Sequence, residues 1–276
     1  MKTYLRYSIS PTKNPRTNIE IPEGAKQEAA QLFEQCRQYC INEQLKLVLV
    51  PIDTKYYEDI MVYINRYYEW ASGLIMYEHK FKKKEMETAE FFLLKSTSLI
   101  CPEESNSQMF SRCCEINKLC GNQEGYFRIK KRDMEKRNIT FTSAYKYFVS
   151  KETQKKLILE NVSNIEYLPV YNMKNDEILA YQIEAKKLIS PIAECNGWEV
   201  YKSCSSCGKV IYNPIHQYAH PFYLPKAFKD NLEDFNATSE VFTEICARYY
   251  IISKRMHELL FQTDSKSLKC EPIIFV

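Results

Sequence analysis

The chain has 276 residues, 45% of them apolar and 13% aromatic, enough to bury a large core and to form two or three modest domains. Its 38 basic and 35 acidic residues leave a formal charge of +3 and are finely interspersed, so no long-range field steers the protein toward polyanions. Six glycines against 21 tyrosines and 14 phenylalanines argue against a glycine-rich phosphate cradle, which needs several glycines close together.

The opening MKTYLRYSISPTKNP lacks the apolar stretch of a signal peptide, and no run of 18 apolar residues could span a membrane. The expectation is a cytosolic protein. Eleven cysteines in a chain of this size without an export signal read as free thiols or a metal site rather than a disulfide framework.

In chain order, KTYLRYSI alternates like a strand. GAKQEAAQLFEQCRQYCINEQ has helical spacing through Ala29, Leu32, Phe33, Cys36 and Cys40, and LKLVLVPI reads as a buried strand. A second helix is expected over KYYEDIMVYINRYYEWA (55–71), then a strand over GLIMYEHKF. These elements form an N-terminal α/β layer over residues 1–87 with no counterpart elsewhere in the chain.

From residue 88 an internal repeat can be followed. AEFFLLKSTSLICP (89–102) aligns with LAYQIEAKKLISP (179–191), matching Leu94 with Ile183, Leu99 with Leu188, Ile100 with Ile189 and Pro102 with Pro191. Cys120-Gly121 then meets Cys207-Gly208, and Val149-Ser150-Lys151 meets Ile252-Ser253-Lys254, with Leu157 on Leu260. In each copy a β-branched and aromatic run, YKYFV or RYYII, precedes a serine whose hydroxyl can cap a new helix. Asn161 can end the first helix, and a strand follows, IEYLPV or CEPIIFV. The expected class is α+β, with the N-terminal layer followed by two duplicated strand-helix-strand modules, 88–172 and 173–276, joined through Cys-Gly turns. Each module suggests a crossover, or a helix packed on a small mixed sheet.

YKSCSSCGKVIYNP places Cys204 and Cys207 in a C-x2-C-G knuckle. Two thiolates at this spacing reach one tetrahedral zinc, and the glycine lets the chain fold back toward the sulfurs. Cys114 and Cys120 of CCEINKLCG could complete a structural zinc site, or His216 and His220 could do so locally through C-x2-C-x8-H-x3-H. That x8 gap is shorter than the usual finger spacing of about 12 to 15 residues. A metal-free knuckle and a redox pair are the competing readings; the second is disfavoured because Cys207 precedes Gly208 and a proline-containing loop.

The phrase FVSKETQKKLILENVSNIEYLPV after a Cys-Gly turn, repeated with IISKRMHELL, resembles the double-CxxCG proteins and the related barrel-type immunity proteins of bacterial polymorphic toxin systems. The resemblance covers residues 88–276. Cys204, Cys207 and Gly208 match a CxxCG in full, Cys120 and Gly121 match the second half of the other, and Cys114 is displaced. It implies a cytosolic, non-enzymatic protein that neutralises a cognate toxin domain by binding it. Such binding needs aromatic anchors; Tyr56, Tyr57, Tyr67, Tyr68 and Trp70 are candidates, against the plainer reading that they are core.

No G-x-S-x-G, H-E-x-x-H or strand-linked glycine-rich loop is present. His79, in YEHKFKKKE, and His257, beside Glu258, read as surface histidines, and the pairs Glu58-Asp59 and Glu233-Asp234 sit among mixed charges. No active site is expected. The basic runs KFKKKE (80–85) and RIKKRDMEKR (128–137) are interrupted by acids and read as solvated faces. The expected partner is therefore a protein, and nucleic-acid binding or a zinc-ribbon scaffold is the alternative.

Overall fold

Along KTYLRYS, Thr3, Leu5 and Tyr7 are buried while Tyr4, Arg6 and Ser8 are partly exposed, the period of two that a strand with one covered face requires. The computed structural model of the protein describes residues 1–12, 20–71, 75–96, 99–100, 123, 125–135, 137–142, 146–203, 205, 208, 210–213, 221–242, 247–263 and 268–276. The fold is α+β. It divides into one unit of Met1–Lys83 and a second that begins at Lys84.

The first unit contains β1 (Lys2–Ser8), α1 (Glu23–Gln35), β2 (Cys40–Asn42), β3 (Leu47–Pro51), α2 (Lys55–Arg66), α3 (Tyr68–Ala71) and β4 (Ile75–Lys80). Its sheet runs β2-β3-β1-β4 with antiparallel neighbours throughout. Leu5 and Tyr7, Leu32 and Phe33 of α1, Val48 and Val50, and Ile60 and Ile64 of α2 share one core.

Two helices end earlier than their spacing predicts. Cys40 lies in β2, paired with Val48, because the chain leaves α1 through a 3-10 turn at Arg37–Tyr39. The apolar spacing of Cys36 and Cys40 spans that turn rather than one helix. The helix expected over 55–71 breaks at Tyr67, whose φ of −119° and ψ of 38° leave the helical region. The break turns Tyr68 outward and sets the Ala71 carbonyl where the buried Tyr7 hydroxyl donates to it at 2.7 Å.

The second unit begins with α4 (Lys83–Thr88), β5 (Phe91–Ser96), β6 (Leu99–Ile100), β7 (Arg128–Ile129), α5 (Lys131–Met134), β8 (Ile139–Thr142), β9 (Tyr147–Ser150), α6 (Lys151–Leu159) and β10 (Ile165–Asn172). It continues with β11 (Ile178–Ala185), β12 (Leu188–Ile189), β13 (Glu199–Ser203), β14 (Val210–Asn213), β15 (Tyr223–Leu224), β16 (Phe235–Thr238), β17 (Val241–Phe242), β18 (Tyr250–Ser253), α7 (Lys254–Thr263), β19 (Leu268–Pro272) and β20 (Ile274–Phe275). Its two large sheets run β6-β8-β9-β11-β10-β7 and β12-β16-β18-β5-β19. A three-stranded sheet, β13-β14-β17, and the β15-β20 pair complete it.

The two large sheets share one pairing scheme, residue by residue. Tyr181 of β11 stands between Val149 and Pro169; Phe92 of β5 stands between Ile252 and Pro272. On the outer side, Leu99 pairs with Phe141 in parallel, as Leu188 does with Ala237. Strand β5 thus occupies in one sheet the place that β11 occupies in the other. Yet β5 lies between β18 and β19, and β11 between β9 and β10. The sheets therefore do not divide at residue 172. A tight turn after Asn172, whose amide donates to the Glu177 carbonyl at 2.7 Å, folds β11 directly back on β10, the shortest closure open to the chain.

The same arrangement occurs a third time. In the first unit β1 lies between β3 and β4, antiparallel to both, with α2 connecting them, as α6 connects β9 to β10 around β11. Residues 1–87 share no sequence repeat with the rest of the chain, yet the crossover around an inserted antiparallel strand is the same.

One core joins both large sheets and their helices: Phe92 and Leu94, Tyr147 and Val149, Leu157, Phe235, Tyr250 and Ile252, Met256 and Leu260. Asn161, with φ of 51°, ends α6 in the left-handed region that Asn tolerates. Its amide donates to the Ile158 carbonyl and that of Val162 to the Leu157 carbonyl, which returns the chain toward β10.

Candidate functional site

Cys114, Cys120, Cys204, Cys207, His216 and His220 all lie outside the described residues, so the structure places none of the expected metal ligands. Among the described residues no group of three or more His, Cys, Asp or Glu could hold a metal ion. Near the knuckle, Gly208 has φ of 69° and open space where a Cβ would stand. Its requirement is therefore conformational. At the base of the β13-β14 hairpin the buried Trp198 packs within 4.5 to 5.7 Å of the Phe242, Phe222 and Tyr249 rings, which anchors the hairpin to the unit.

Four cysteines are described, all free thiols: Cys36 and Cys270 buried, Cys40 and Cys195 half-buried. Burial pushes the Cys36 thiol up to about 11, with Asp59 adding to the shift. Burial likewise pushes Cys270 up to about 12, Glu271 reinforcing it and a hydrogen bond from the Lys95 backbone opposing it. Cys195 is also raised, chiefly by burial. The raised thiols of Cys36, Cys195 and Cys270 stay protonated at neutral pH and are poor nucleophiles.

The two histidines read as surface groups are covered. His79 is buried on β4, its Nδ1 3.1 Å from the Thr3 hydroxyl. His257 is half-buried on α7, stacked on Phe92 at 4.1 Å and against Phe261 at 4.4 Å. Arg128, from the second basic run, is engaged locally: it donates to the Asn172 and Asn175 carbonyls and pairs with Asp176 at 2.7 Å.

The described residues do form a cleft between α1 and α2 of the first unit, about 730 Å³ in volume. One wall carries Gln27, Gln31 and Gln35 of α1, exposed at a spacing of four residues that aligns them on one helix face. The other wall carries Tyr56, Val62 and Tyr67 of α2 and its end, with Lys55 and Asp59 beside them. Arg66 bridges the helices: its Nη1 donates to both Glu28 carboxylate oxygens, at 2.8 Å each.

Of the candidate anchors, Tyr56, Tyr57 and Tyr67 all pack partly buried against the core; Tyr56 and Tyr67 also line this cleft, and Tyr57 meets Tyr77. Tyr56 is braced edge-on by Tyr39 at 5.4 Å, and Tyr67 meets Tyr63 at a tilt, 5.3 Å between centroids. Tyr68 is 67% exposed. Trp70 is half-buried beside it. Sequence reasoning missed the glutamine row, and its signal was the use of uncharged amides where an exposed helix face ordinarily carries charges.

No protein-family model matches the chain, and no curated protein does.

Proposed function

We propose that this chain is a non-enzymatic binding protein, an immunity protein of a bacterial polymorphic toxin system that neutralises a cognate toxin domain by sequestering it in the cytosol. The observation that carries the reading is the α1-α2 cleft. Its aromatic wall is braced by neighbouring rings, its mouth is set by the Arg66–Glu28 pair, and its glutamines can donate and accept. A preformed surface of this composition binds a folded partner without first ordering itself. Uncharged amides also meet the partner's polar groups without the desolvation penalty of buried charges.

The duplicated-module architecture belongs to the same reading. The matched registers of the two large sheets support an origin of 88–172 and 173–276 in one duplicated unit, and the Cys204–Cys207 knuckle is proposed as a structural zinc ligand pair. The metal would hold a turn and would take no part in neutralisation.

The test is growth of a bacterial host expressing the toxin-like domain encoded beside this gene. Co-expression of this chain rescues growth and the two proteins co-purify, while Val62→Glu together with Tyr56→Ala abolishes rescue in a folded protein. Rescue that survives the double variant removes the cleft from the reading, and no rescue against any neighbouring domain removes the immunity function.

A further inference from the structure

We infer that the outer edge of β13 is a self-association site, at which a second copy of this chain adds its own β13 antiparallel. Strand β13 stands at the end of the β13-β14-β17 sheet and, among the described residues, pairs only with β14. All five of its residues are exposed, Val200 at 60% and Tyr201 at 56%. Both faces of the strand are thus open to solvent, and no described strand covers its outer edge. An exposed apolar edge is a template for another strand, and proteins ordinarily blunt it.

The charges on this edge select one partner. Glu199 and Lys202 flank Val200 and Tyr201, so an antiparallel copy related by a twofold axis between Val200 and Tyr201 sets each Glu199 opposite the partner's Lys202. It also brings Val200 beside the partner's Tyr201. A parallel copy in register would set like charges together, which opposes pairing.

In a regular strand residues three apart point opposite ways and could not be paired like this. Here a bulge at Tyr201 intervenes. Glu199 pairs with Asn213 and Lys202 with Ile211, and those two β14 positions are two apart. Positions 199 and 202 therefore share a face. The bulge that usually spoils an edge makes this edge complementary to itself. Pairing would join two three-stranded sheets into a six-stranded one, an isologous contact that closes at two copies. The edge is short, so the association is weak and depends on concentration.

Sedimentation equilibrium of the full chain under reducing conditions tests this, with circular dichroism as the check on folding. The wild type forms a dimer as concentration rises. Glu199→Lys and Lys202→Glu each weaken it by about tenfold, because each places two like-charge pairs across the twofold. Glu199→Lys combined with Lys202→Glu restores it. A monomer at every concentration overturns the proposal, as does a dimer indifferent to the single reversals or one that the combined reversal fails to restore.

Discussion

The Ser253 hydroxyl donates to the Asp234 carboxylate at 2.6 Å while accepting the Met256 amide at 3.1 Å; at the matching place in the other large sheet, Ser150 donates to the Asn138 side-chain oxygen at 3.3 Å and accepts the Thr153 amide at 3.1 Å. Each serine both starts its helix and ties it to the residue before the neighbouring strand. The first tie is to a charge, the second to an amide, and hydrogen bonds to charged groups are the stronger. Ser253→Ala is expected to destabilise the protein by about 1–2 kcal/mol and Ser150→Ala by about 1 kcal/mol. Urea unfolding that ranks them the other way contradicts this account of the two caps.

Local features were legible in the sequence because they rest on neighbours. The alternation of Leu5 and Tyr7, the serine caps and the left-handed Asn161 needed only a few residues of context. The match of Leu94 with Ile183 identified equivalent positions, but equivalence does not say which sheet a strand joins. That is settled by the hairpin after Asn172, a matter of chain closure. His79 was misread for a related reason: it is set among charged residues, yet on β4 it shares a face with Tyr77 while Glu78 and Lys80 point the other way. The α1-α2 cleft escaped because an apolar-periodicity reading treats Gln27, Gln31 and Gln35 as ordinary solvent face.

Burial holds the His257 imidazole below its usual pKa, Lys254 adding to the effect and Glu258 opposing it. The unfolded chain therefore binds a proton that the folded protein resists. Stability from the neutral ring is fully present above the unfolded value of about 6.5 and is lost as pH falls through the folded value. His257→Phe keeps a ring against Phe92 and Phe261 and removes the titration. Its unfolding free energy should fall less than that of the wild type as pH drops below about 6.5, and parallel curves would exclude His257 as the cause.

Cys36 and Cys270 are buried and carry raised pKa values, so alkylation should report folding rather than reactivity. Iodoacetamide at pH 8 is expected to leave both unmodified in the native protein and to label both in urea, as read by mass spectrometry of tryptic peptides. Rapid native labelling of Cys270 would show that the shared core opens locally.

Exchange of β5 and β11 between the large sheets makes a sharper demand. A chain of residues 84–172 retains β9, α6 and β10 but lacks β11, which stands between the two strands and pairs with both. It also leaves Phe92 and Leu94 of β5 without β18 and β19. Neither half of the second unit can complete a sheet from its own residues. The 84–172 fragment should therefore show no cooperative thermal transition, and neither should 173–276. Mixing them should restore a transition, because each supplies the central strand of the other's sheet. Two independently folded fragments would mean that β5 and β11 can each fold back into the sheet of their own segment, and that the exchanged arrangement is a choice between two pairings of similar free energy.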